Sequence, residues 1–242
     1  MKKKLAKSFF YLSLICALVF VMSGYGYQWG IWGLGTGFTL LRYGAYAAIG
    51  LAVIQTTFFF FMKDSGISAK AMILTGFLVT LLISATAIYW QYQARSVPPI
   101  HDITTDTQAP PEFVAIDRLR EDAPNPPEYA GEETAEQQLE AYPDIQPLVL
   151  SAPVQEVIDE IVTLISNRGW EIVSINRKEG RVEATEKLAW FGFKDDVVFR
   201  VSSANGETRV DMRSKSRIGR SDVGVNAERI REFLTDLEAQ IE

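Results

Sequence analysis

Three long apolar stretches open the chain, running from about Ser8 to Gly24, Phe38 to Met62 and Ala71 to Trp90. Each is near the roughly 20 helical residues that cross a bilayer. Arg42 is the only ionisable residue inside them, and it lies near an end, where its guanidinium can snorkel to the interface. Beyond residue 153 the pattern becomes periodic. Val154, Val157, Ile158, Ile161, Leu164 and Ile165 form one helical stripe, with Ser151 as N-cap, Pro153 in the first turn and Gly169 as the stop. Ile230, Phe233, Leu234, Leu237 and Ile241 form a second stripe in a terminal helix.

Four strand-like runs lie between these helices: 170–176, 181–188, 195–203 and 208–217. Lys178-Glu179-Gly180 and Asn205-Gly206 mark turns, the latter a tight-hairpin pair. Val197, Phe199 and Val201 share a face, as do Val210 and Met212, while Arg209, Asp211, Arg213, Lys215 and Arg217 point the other way. The pattern predicts an α+β domain with an antiparallel sheet of four or more strands, two helices on its apolar face and a charged opposite face.

Composition adds a middle segment. All ten prolines fall between Pro98 and Pro153, and proline interrupts helix interiors and central strands. The chain therefore divides into an anchor (residues 1–90), a proline-rich acidic arm (91–153) and a folded domain (154–242). Within the arm, Glu121, Asp122, Glu128, Glu132, Glu133, Glu136, Glu140 and Asp144 have no basic neighbour between them. Such a segment builds no core of its own. A short helix around 134–142 fits the arm, and Phe113, Val114, Ile116, Tyr129, Tyr142, Ile145 and Leu148 are suited to docking on the domain.

Charge is asymmetric. Lys2, Lys3, Lys4, Lys7, Arg42, Lys63 and Lys70 against Asp64 leave residues 1–90 at +6, so residues 91–242 carry −12 of the net −6. A part this acidic argues against nucleic acid as partner. One cysteine, Cys16, and one histidine, His101, leave no intramolecular disulfide, no multi-His metal site and no expected cofactor. Lysines gather before the first span and between the second and third, which predicts a multi-pass protein of the cytoplasmic membrane with its N-terminus inside and residues 91–242 outside. Tyr25, Tyr27, Trp29, Trp32, Tyr89, Trp90 and Tyr92 would then share the outer interface. The basic start and short apolar run also fit a signal peptide, with Gly24-Tyr25-Gly26 as its cleavage site. The segment Gly24–Gly37, with six glycines, reads as a tight interfacial turn. The spans lack the buried carboxylates of a transporter or proton relay.

Several segments together resemble domain-of-unknown-function family 1499: Phe191-Gly192-Phe193-Lys194-Asp195-Asp196-Val197-Val198, the run from Arg209 to Asn226, Pro98 to Asp106 and Tyr142 to Leu148. The resemblance covers roughly residues 95–240. It implies that the arm belongs to the domain, and it implies no activity.

Two constellations carry candidate chemistry. Arg213, Arg217, Gly219, Arg220 and Ser221 precede the last helix, where guanidinium forks and helix-start amides suit a carboxylate or phosphate. The structural alternative has Ser221, Asp222 or Asn226 capping the helix and the arginines paired with Asp195, Asp196 or Asp211. His101, Asp102 and Asp106 are catalytic candidates as an acid–base pair, against a histidine that merely ties the arm down. The expectation is a membrane-embedded, non-enzymatic protein, its partners the lipid bilayer and an envelope protein or anionic small molecule. The alternative is a hydrolase-like enzyme using His101.

Overall fold

A computed structural model describes residues 2–63 and 65–241. They form two compact units, one of residues up to Tyr92 together with Ala189–Gly192, the other of Gln93–Leu188 and Phe193 onward.

The first unit holds α1 (Lys2–Gln28), α2 (Leu34–Phe60) and α3 (Ile67–Ser96), the last running into the second unit. Each is long and apolar enough to cross a membrane. The helices extend beyond the apolar stretches. Gly24 and Gly26 fall inside α1, Gly35 and Gly37 inside α2, so only residues 29–33 turn where a longer loop is expected. Close packing offsets glycine's poor helix propensity. A side chain at Gly26 would meet the Trp32 ring at 2.1 Å. At Gly24 it would meet Trp190 at 2.5 Å; the Trp190 indole N–H donates to the Val21 carbonyl at 2.8 Å. Each helix also contributes to one buried polar contact. Gln55 donates to Ser13 Oγ at 2.9 Å and accepts from Thr80 Oγ1 at 3.0 Å. Gly76 makes the room, since a side chain there would lie 2.6 Å from Gln55 Nε2. Small residues with a hydrogen-bonding polar centre are how apolar helices hold together where burial against lipid gives no preference.

The second unit is an α+β domain around one six-stranded antiparallel sheet. Strands β3 (Glu171–Asn176), β4 (Arg181–Lys187), β5 (Lys194–Ala204) and β6 (Glu207–Ser216) form a meander. Two strands from the arm, β1 (Asp102–Thr104) and β2 (Leu148–Leu150), pair with successive parts of β6. The turns have local causes. Asn205 and Gly206 both take positive φ, the two-residue hairpin whose twist matches its strands. Gly180 is obligatory, because a side chain there would lie 1.9 Å from the Val201 carbonyl oxygen.

Helices α5 (Val154–Asn167) and α6 (Val225–Ile241) cover one sheet face. Pro153, rather than Ser151, is the N-cap of α5, and no side chain caps it. Gly169 closes it at φ 70°, with the N–H of Trp170 returning to the Ile165 carbonyl. The core joins Val157, Ile158, Ile161 and Ile165 to Val197, Phe199, Val210, Met212 and Phe233. The arm supplies Ile100, Ile103, Tyr142, Ile145 and Leu150 to the same core. It also contains a short 3-10 helix (Asp117–Arg120) and α4 (Glu132–Ala141).

A fragment starting at Ser151 is therefore expected to be much less stable than one starting at Gln91. It loses Ile103, Ile116 and Ile145, all buried, at roughly 1.5–3 kcal/mol each. Urea unfolding of both fragments checks this, and equal midpoints would show that the arm adds nothing.

Candidate functional site

The second sheet face carries the odd-numbered residues of β6 and the matching positions of β4 and β5: Arg209, Asp211, Arg213 and Lys215 beside Glu183, Asp196 and Arg200. Left bare, this face would be a solvated charge stripe. Instead residues 111–130 of the arm lie across it. Asp102, Arg120, Glu183, Asp196, Arg213 and Lys215 are all at most 1% exposed.

Every charge there has a partner of opposite sign or a dipole. Asp102 takes the Arg213 fork at 2.8 and 2.9 Å and Lys215 Nζ at 3.0 Å. Arg213 also donates to the Pro111 and Pro127 carbonyls and lies over the rings of Phe113 and Tyr129, 4.8 and 5.4 Å from their centres. Asp196 binds Arg120 at 2.7 Å, the Arg217 fork at 2.8 Å and the Thr185 hydroxyl at 2.7 Å. Arg120 spends its remaining donors on the carbonyls of Asn125, Lys215 and Ser216. Glu183 accepts three successive backbone N–H groups, from Val114, Ala115 and Ile116, at 3.0–3.1 Å. Burial lowers the Lys215 pKa, partly offset by Asp102. Burial, with the Asp102 charge, pushes the Tyr129 phenol up to about 12.

A smaller polar cluster sits where α6 meets the sheet. Arg229 joins Asp195 and Glu186 and donates to Ser214. Asn226 accepts from Ser214 and donates to the His101 carbonyl at 3.1 Å. The Asp222 carboxylate accepts the N–H groups of Gly224 and Asn226, at 2.8 and 3.0 Å, and so occupies the start of α6. Burial raises its pKa against those bonds.

The sequence-derived candidates separate in this frame. Asp102 belongs to the arm-side network. His101 is half-buried, its Nδ1 is 3.4 Å from the Arg220 carbonyl, and burial lowers its pKa. Asp106 receives the N–H groups of Gln108 and Ala109 and pairs with Arg200 and Arg209. Burial alone would raise its pKa, but those amides and the two arginines outweigh it and the pKa is lowered. Both carboxylates are thus engaged by cations other than the imidazole. Arg213 and Arg217 are committed to Asp102 and Asp196, and Arg217 also donates to the Leu119 carbonyl. Gly219, at φ 107°, and Arg220 are exposed, and Ser221 accepts the Val223 N–H.

Sequence reasoning did not single out Arg120, Asn125, Glu183 or Arg229; it offered Asp196 as a structural partner for the arginines, and Arg217 pairs with it. Glu183 could have been found, because alternation puts it on the face of Arg213. Arg120 and Asn125 could not, because no period marks an irregular arm.

The molecule is thus a small α+β domain joined to three helices of bilayer length, with its conspicuous charges turned inward. Residues 102–237, more than half of the chain, match the family described as Protein of unknown function (DUF1499), and the chain belongs to that family. No curated protein matches it.

Replacing Arg213 with Met should cost about 3–5 kcal/mol, because Asp102 would be left buried and partly uncompensated. Adding Asp102→Asn should recover part of the loss. Chemical denaturation of the single and double variants measures both.

Proposed function

We propose that this chain is a multi-pass protein of the cytoplasmic membrane, N-terminus inside, whose domain works outside as a non-enzymatic binding module. The exposed turn at Gly219–Ser221 would take an anionic group of an envelope protein or small molecule. The lysines at the start of α1 (Lys2, Lys3, Lys4, Lys7), with Lys63 between α2 and α3 and Lys70 at the start of α3, support the orientation.

One observation carries the binding reading. Ten of the twelve arginines from Arg118 to Arg231 have carboxylate partners. Among the described residues, only Arg118 and Arg220 lack one, and both are exposed. Their segments are linked through Arg217, which donates to the Leu119 carbonyl from its side chain and to the Lys194 carbonyl from its backbone. Asn125 ties the same arm segment to the Gly219 carbonyl at 2.9 Å. Lys194 is exposed and has no carboxylate partner among the described residues. Three uncommitted cations on hydrogen-bonded segments of a domain this acidic favour an anion, and guanidinium forks suit carboxylate or phosphate. The hydrolase alternative asks for a carboxylate beside His101, and nothing in the geometry favours it.

A reporter active only outside the cytoplasm, fused after Glu242, should be active; activity of a cytoplasm-only reporter there would reverse the orientation. For the site, Arg220→Ala combined with Lys194→Ala should weaken citrate binding by at least about tenfold, the loss of one charge-assisted contact. The melting temperature should not change, because neither side chain is buried or paired. Calorimetric titration of the full chain in detergent tests this, and no citrate binding by the parent would remove the turn from consideration.

A further inference from the structure

A cleft of about 480 Å³ opens between the arm and the ends of β4 and β5, away from the turn discussed above. Its size falls in the range of roughly 300–1,000 Å³ typical of small-molecule sites. Pro110, Pro111, Val114 and Val198 give it an apolar lining. Two arginines in it stand opposite each other in the strand register, Arg181 on β4 and Arg200 on β5. Like charges directly across a strand pair repel, and here each is answered by two carboxylates. Arg200 is held by Asp106, Asp211 and the Ala109 carbonyl. Arg181 uses Nε on Glu183 and Nη1 on Glu179, while its Nη2 has no partner among the described residues. The lining also contains Glu112, an exposed carboxylate with no ion pair among the described residues.

One unanswered guanidinium nitrogen on one wall, an unanswered carboxylate on the arm and an apolar lining define a complementary ligand. We infer that the cleft binds a short peptide as its zwitterion, with the terminal carboxylate at Arg181 Nη2, the terminal ammonium at Glu112 and a side chain against Pro111, Val114 and Val198. A simple anion would meet the repulsion of Glu112 and Glu179, and a simple cation that of the arginines. The zwitterion alone satisfies both.

The test uses the full chain in detergent micelles and three probes: the dipeptide Ala-Phe, its N-acetylated form and its C-terminal amide. The parent should bind Ala-Phe, and each capped form about tenfold more weakly, the equivalent of one lost charged contact. Glu112→Gln should abolish the difference between the free and acetylated peptides. Val114→Trp, at a half-exposed side chain that lines the cleft, should block all three without lowering the melting temperature. Arg220→Ala should leave the titration unchanged, which separates this cleft from the turn. Equal binding of free and capped peptides, parent-like binding by Val114→Trp, or no binding of Ala-Phe by the parent would overturn the inference.

Discussion

The Asp102–Arg213 pair joins the first strand of the domain to its last, and the arm's attachment to the sheet is organised around it. Two ions taken out of water gain little net stability, since desolvation roughly cancels their attraction. What the pair contributes is exactness of fit. Arg213 can keep its fork on Asp102 only if the Pro111 and Pro127 carbonyls and the rings of Phe113 and Tyr129 stand where they do. An arm shifted by one residue would bury at least one charge without a partner. Irregular chain, which has no ladder of its own to set register, is held here by electrostatics.

The domain consequently has two interiors built on different physics. Between sheet and helices lies close-packed hydrocarbon, tolerant of small changes in side-chain shape. Between sheet and arm lie fixed charges and backbone carbonyls, where any truncation strands a partner. The same arm serves both: Ile103 and Ile145 enter the first, while Arg120 and the Val114–Ile116 amides complete the second. The inward turning of charge also explains why so few basic groups remain for a ligand.

The periodic elements could be read from sequence because their cause is local. The stripe Val154–Ile165, the alternation on β5 and β6 and the Asn205-Gly206 turn each carry their signal within a few residues. The helix ends around Gly24–Gly37 could not, because close contacts with Trp32 and Trp190 decide them. β1 and β2, three residues each, are too short to show a period and exist only because β6 offers them an edge. For the candidate residues, sequence brought Arg213 and Arg217 to notice as donors. Asp196, one of the partners that the sequence offered, occupies Arg217, and only three dimensions show that Asp102 of the arm occupies Arg213.

The pairing of β1 with β6 has a consequence for how the chain must be made. Asp102 and its partner Arg213 are 111 residues apart. During synthesis the arm emerges first and has nothing to bind. Its carboxylates and prolines keep it soluble and extended while β3, β4 and β5 follow. Nothing can lock until β6 arrives, when both arm strands and both charge clusters gain their sites together. Such long-range closure makes for slow folding, and it puts the decisive event after β6 has been made. A chain cut short before residue 213 would keep most of the meander's apolar residues yet never acquire the surface on which its own arm is meant to rest.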